Sequence, residues 1–384
     1  MSLSTSPNED TDPFSSYKQV LETGEVGYAA GFPHYPRNFS RDTITAGIIS
    51  SSAVLLASQI AISAHHQGEN YDPQTGEMPG KIHHEFPGVK LNGGDKYTTY
   101  NACDTTALFL IATEGLLNFD EPAFSDFTQQ KVEKLKRAVD YIFAHIGNDD
   151  LFWEKPPGGS DNYALKVTYW KDSILAQSDG KIEPVYPVVF PLAHFIAARG
   201  LLSASRVLGD PGLGSTADKM FRTGIKEFMR PDSYTAYRDS VSELRQISSD
   251  ELHSLAYIPR VYADLLPVEA MQQRAESLIT PFGYMCTPTE VSQQLSDRYH
   301  GDTVWVFEQA LINYGATKFS LNQEAKIAAS IAAHIGEGQE LFSLPNSENG
   351  EILPIPAGND RQLWSIASRE YFAGRSSLSV TPWL

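Results

Sequence analysis

The run Tyr169-Trp170-Lys171-Asp172 sets a carboxyl beside two aromatic rings and an amine, just ahead of a Ser-Asp-Gly turn and a long apolar segment. A carboxyl against an aromatic wall loses water, its pKa rises, and it becomes able to hand a proton to a leaving oxygen. A second acid, Glu340 in GQELFSLPN, stands where a helix is expected to end and a loop to begin. Two carboxyls on opposite sides of a pocket suffice to cleave a glycosidic bond: one protonates the leaving group, the other activates water or attacks carbon. Both residues also have plainer readings. Asp172 is equally a helix N-cap for the first-turn amides of ILAQS, and Glu340 a solvated surface acid. Spacing alone does not choose.

Arg41 and Asp42, in NFSRDTITAG, begin an apolar helix, so their side chains emerge at one of its ends. They form either a simple ion pair and cap or a clamp on vicinal hydroxyls, since each hydroxyl both donates and accepts. The pairs His65-His66 and His83-His84 raise the question of zinc. Neighbouring histidines are expected to point different ways, and no third ligand follows at a known spacing, so no metal is expected. There is no G-x-G-x-x-G after a strand, no P-loop and no G-x-S-x-G, and no cofactor is expected either.

These residues need a scaffold, and the hydropathy pattern supplies an all-α one. Residues 44–62 are apolar or small on every face, the mark of a helix buried all round. Residues 131–146 differ: Val132, Leu135, Val139, Ile142 and Ile146 form one stripe, and charged residues fill the rest. The alternation returns with 102–117 before 131–146, 185–208 before 217–230, and 303–315 before 322–335. An all-apolar helix must be covered on both sides, so inner helices walled by outer ones are expected, as in an (α/α)6 barrel. Strand-like runs are few and short. Glycine and proline punctuate long loops at 31–38, 68–97, 154–163, 280–301 and 341–360, rich in aromatics, histidines and acids.

The 384 residues are read as a frayed polar tail over 1–11 and one catalytic domain over 12–384. A formal charge of -17 disfavours phosphate backbones and anionic lipid surfaces, leaving a small neutral carbohydrate as the expected partner, with no nucleic acid and no membrane. Cys103 and Cys286 stand far apart and are read as reduced. MSLSTSPNEDTDP has no basic stretch leading into an apolar core, and a cytoplasmic enzyme is expected.

Seven stretches, taken in order, resemble the glucosidase domain of glycogen-debranching enzymes and related (α/α)6 glycoside hydrolases. AAGFPHYPRNFSRDTITAG is similar to that family's "aGyPWF...FGRDT", TGEMPGKIHHEF to "tGrIpHE", and YNACDTTALFL to "YgsvDaTPLF". YWKDSILAQSDGKI resembles "gWKDSwDSi...DG", YHGDTVWVFEQALINYG "YHnGsVWPhDnaLIa.G", QELF "PELf" and DRQLWSIAS "PQAWAAGa". The resemblance implies an inverting, exo-acting α-glycosidase with Asp172 as general acid and Glu340 as base. It implies that Arg41 and Asp42 grip the terminal sugar, and that His84, Glu85, Asp104, Trp170, Lys171, His300, Trp305, Gln362 and Trp364 line the pocket. The sugar-binding domain that usually precedes the debranching barrel does not occur in this sequence, which points to a small glycoside. Related barrels act on trehalose, sucrose or glycosylated solutes such as glucosylglycerate and mannosylglycerate. The chain departs from the pattern at the second tryptophan of the WKDSW block and at Val306-Phe307-Glu308, where the leaving group would be recognised. A sugar phosphorylase, an epimerase using His84 and His300, and a non-catalytic carbohydrate-binding barrel are the competing readings.

Overall fold

The computed structural model describes residues 12–91, 93–158, 163–172, 177–178, 180–181, 184–295, 298–344, 354–379 and 384. The tail over 1–11 and residues 173–176, in the segment that Asp172 would open on its alternative reading as an N-cap, lie outside them. Gln177–Ser178 pair as a strand with Gly180–Lys181, so the chain there is extended and a helix capped by Asp172 would not continue through it.

Twelve α-helices are described: α1 (Ser40–Ser50), α2 (Ala53–His65), α3 (Thr105–Phe119), α4 (Glu121–Ala144), α5 (Pro191–Leu208), α6 (Pro211–Phe228), α7 (Asp250–Ser254), α8 (Val268–Ala275), α9 (Thr289–Ser292), α10 (Val306–Lys318), α11 (Asn322–Ala329) and α12 (Leu363–Phe372). The apolar run at 44–62 is two helices rather than the single one its hydropathy predicts. Ser51 adopts a left-handed conformation with φ 57° that ends α1, and the Ser52 hydroxyl accepts from Leu55 N–H to cap α2. Serines compete for backbone hydrogen bonds and so favour such breaks. Residues 185–208 and 303–315 likewise begin as short strands, Val188–Val189 and Thr303–Trp305, before α5 and α10 start.

Packing follows a cycle. α1 packs on α3, α3 on α5, α5 on α7, α7 on α10, α10 on α12, and α12 returns to α1. A second set lies outside: α2 against α1 and α3, α4 against α3, α6 against α5, α8 against α7 and α11 against α10. The burial of each set matches its sequence pattern. Residues Ser40–Ile49 of α1 and Thr105–Leu116 of α3 are buried without interruption, whereas α4 buries only Leu135, Ala138, Val139, Tyr141 and Ile142. Among the described residues no helix is long and apolar enough to cross a membrane.

The strands are short, but they decide where the site lies. Asn38–Phe39 runs into α1, Thr303–Trp305 into α10 and Arg361–Gln362 into α12, so each delivers its last residue as the N-cap of an inner helix. Each is held by an antiparallel partner: Asn38–Phe39 by Glu85–Phe86, Thr303–Trp305 by Leu341–Ser343, and Arg361–Gln362 by Gly31–Phe32. Side chains from loops far apart in sequence are thereby brought to the N-terminal ends of α1, α10 and α12.

Candidate active site

At those helix ends lies a pocket of about 440 Å³, counting its open mouth. That is the size of a small-ligand site. Ten of the thirteen residues singled out from the sequence line it: Arg41, Asp42, His84, Trp170, Asp172, His300, Trp305, Glu340, Gln362 and Trp364. Ala30, Tyr35, Phe39 and Tyr299, which sequence reasoning missed, complete the wall. Tyr299 directly precedes His300 in the YHG block, the one signal that would have drawn notice to it.

Three expected lining residues stand behind the wall instead. Asp104 receives both Nε and Nη2 of Arg41, at 2.8 and 2.9 Å, and so holds the guanidinium in place. Glu85 accepts from Arg37 at 2.8 and 2.5 Å and from the Thr98 hydroxyl. Lys171 is fully buried, its Nζ 3.0 Å from Asp250 and 3.3 Å from Glu308. For the last two, an adjacent residue takes the pocket position: His84 beside Glu85, and Trp170 and Asp172 on either side of Lys171.

Glu340 is gripped from two sides. Its Oε1 accepts from the Tyr299 hydroxyl and its Oε2 from Asn359 N–H, both at 2.7 Å. Burial pushes its carboxyl up to about 7, against the pull of those two donors, and the nearby Asp172 adds to the rise. Gly358, with φ 73°, passes so close that a Cβ there would stand 2.2 Å from Oε2, so this backbone admits only glycine. Asp42 lies in the first turn of α1. Burial raises it to about 8, opposed by Arg41 and reinforced by Glu340. A relay orients it: His34 N–H donates to Asn359 Oδ1, Asn359 Nδ2 to Gln362 Oε1, and Gln362 Nε2 to Asp42 Oδ1 at 2.9 Å.

Asp172 is the most open of the three acids, its side chain 35% exposed, with Oδ1 3.5 Å from His300 Nδ1. Burial, with Lys171 and Arg41 adding to it, drives His300 well below the usual histidine range, so the ring is neutral. His300 stacks on Trp305 with centroids 4.8 Å apart, and Trp170 meets both rings edge-on. Trp364 stacks on Phe307 at 3.8 Å. The pocket thus combines an apolar aromatic surface with three carboxyls and a fixed guanidinium, the mixture that binds a ring having one greasy face and a rim of hydroxyls.

Of the histidine pairs, His83 and His84 point apart as expected, His84 into the pocket and His83 toward Asn38, but His65 and His66 do not. His65 and His66 lie 4.8 Å apart and both face Glu25, at 2.9 and 3.8 Å, because His65 ends α2 and His66 already leaves the helix. Asp250, His253 and Glu308 also lie within ligand reach of one another, and the Lys171 ammonium stands beside both acids as their cation.

No protein-family model and no curated protein matches the sequence. The fold does have likenesses among solved structures. One is the GH63 mannosylglycerate hydrolase from Thermus thermophilus in complex with Tris, with a TM-score of 0.58 at 13% identity, covering 90% of this chain and 96% of that one. The same enzyme in complex with glucose gives a TM-score of 0.57 at 15% identity over 92% and 98%. An uncharacterized conserved protein from the same organism gives 0.57 at 13% identity over 90% and 94%. The chain therefore has a helix-rich fold of the kind found in these glycoside hydrolases.

Proposed function

We propose that the chain is an exo-acting, inverting α-glycosidase on an (α/α)6 barrel spanning 12–384, and that it hydrolyses a small α-linked glucoside or mannoside such as a glycosylated solute. The observation that carries the reading is that Asp172 and Glu340 line one aromatic-walled pocket, together with Arg41, Asp42 and Gln362. The fold's likeness to a mannosylglycerate hydrolase whose structures hold glucose, or Tris and D-glycerate, supports the same class of substrate.

In this mechanism the terminal sugar rests against Trp170 and Trp305, and Asp42 with Gln362 binds its hydroxyls. Glu340 takes a proton from a water that attacks the anomeric carbon, the glycosidic C–O bond breaks, and Asp172 protonates the departing oxygen. A base with a pKa of about 7 matches neutral pH, where strength and ionised fraction balance. Asp172 begins partly solvated; the sugar itself covers it on binding, which favours the protonated form an acid requires.

Proton NMR of a panel of α-glucosides and α-mannosides, glucosylglycerate and mannosylglycerate included, tests the proposal. The wild type should release the inverted anomer, and Asp172→Asn and Glu340→Gln should each abolish release. Turnover that survives both substitutions refutes the assignment, retained configuration refutes the roles, and dependence on phosphate makes the enzyme a phosphorylase.

A further inference from the structure

We infer that Asp250, which does not line the pocket, is the positioning residue that aims Asp172; the inference rests on reading Asp172 as the proton donor. The side chains of the three residues immediately before Asp172 all end on this one carboxylate. Tyr169 OH donates to Oδ2 at 2.9 Å, Trp170 Nε1 to Oδ1 at 3.1 Å, and the Lys171 ammonium reaches Oδ1 at 3.0 Å. Ser248 Oγ donates to Oδ2 at 3.1 Å. Asp250 is 2% exposed and opens α7, which packs between α5 and α10 in the inner ring.

The chemistry explains why an aspartate stands here. An ionised carboxylate accepts only and has room for about four donors, the number converging on it. Asparagine has nearly the same shape but offers one accepting oxygen and turns an NH₂ toward donors already present. Anchoring three successive side chains fixes three successive backbone positions, so Asp172 leaves the wall in one direction. Trp170 carries the same constraint into the pocket through its edge contacts with His300 and Trp305, and His300 faces Asp172. Lys171 reads accordingly: its ammonium also binds Ser249 Oγ at 2.6 Å and Glu308 at 3.3 Å, tying the segment to α10 as well as α7.

The test compares an unactivated alkyl α-glycoside with the corresponding α-glycosyl fluoride, whose leaving group departs without a proton. Asp250→Asn should lower kcat on the alkyl glycoside about 10- to 100-fold, the cost of misplacing a reacting group by about 1 Å, while KM and the fluoride rate change little. Glu251→Gln removes a buried charge from the neighbouring position of α7, where it pairs with Arg274 rather than with Tyr169, Trp170 or Lys171, and should leave the ratio of the two rates unchanged. Equal losses on both substrates, or the same ratio change in Glu251→Gln, overturn the proposal. Should Asp250→Asn fail to fold, Tyr169→Phe removes one anchor alone and must move the ratio in the same direction. If the wild type cleaves neither substrate, the proposed function falls. Crystal structures of wild type and variant then decide the geometry, an unmoved Asp172 carboxyl overturning it.

Discussion

Replacing Glu340 by glutamine should remove a loss of stability that the wild type undergoes as pH rises, and should abolish the turnover proposed above. The carboxyl is 2% exposed, and burial raises it from 4.5 to about 7. A carboxyl whose folded pKa exceeds its unfolded one keeps its proton longer in the native state. Its contribution to stability is therefore complete below 4.5 and is lost as pH rises through about 7. At about 1.4 kcal/mol per pKa unit, the wild type should lose about 3 kcal/mol across that window. Glutamine does not titrate, so its own curve lacks this slope. The amide fits the Tyr299 and Asn359 donors less well, but that cost is constant with pH and cancels in the comparison. Urea unfolding of both proteins at about pH 4.5 and about pH 8 gives the quantity needed: the difference between variant and wild type should grow by about 3 kcal/mol in favour of the variant. Parallel pH dependences would refute the reasoning, because they would mean that Glu340 is solvated in the native state. A variant that loses both the pH-dependent penalty and the turnover is also what a carboxyl kept for chemistry at the expense of stability predicts.

Tyr299→Phe removes the hydroxyl that donates to Glu340 Oε1 and pulls its pKa down, so the acidic limb of the kcat/KM profile should move to higher pH. Losing a hydrogen bond to a charged group is worth about 1.5–3 kcal/mol, and most of the lost rate near pH 6 should return on raising the pH; a uniform loss at every pH would contradict the role. Gly358→Ala must accommodate both a positive φ and a Cβ 2.2 Å from Glu340 Oε2, so it should cost about 1–3 kcal/mol in unfolding experiments and displace the base, with loss of turnover. Normal activity in that variant would mean that Glu340 need not be held where it is.

The layering of the fold was legible because burial imposes hydropathy. The apolar runs supplied α1, α3, α5 and α10 of the inner cycle, and the amphipathic ones α4, α6 and α11 of the outer set, but the second half of 44–62, α2, lies outside against α1 and α3. The break inside 44–62 was written in its serines, but hydropathy does not register a left-handed residue at Ser51. The misreadings in the site share a different cause. Trp170 and Asp172 face the pocket while Lys171 between them turns to Asp250, and His84 faces it while Glu85 turns to Arg37. A short motif lists such neighbours together, whereas an irregular or extended backbone sends adjacent side chains to opposite sides, and only tertiary packing says which side is which. Asp250 left no mark at all, since SSDEL reads as an ordinary helix start and its partners Tyr169 and Trp170 lie 81 and 80 residues earlier.

The seam where α12 lies against α1 couples two of the pocket's acids. Asp42 takes its hydrogen bond from Gln362, and the amide that grips Glu340 belongs to Asn359. Asn359 and Gln362 are themselves joined by a hydrogen bond, so a shift of α12 along α1 moves both grips together. Asp42 and Gln362, 320 positions apart, thus share one mechanical fate with Glu340: whatever loosens the seam unseats both acids at once.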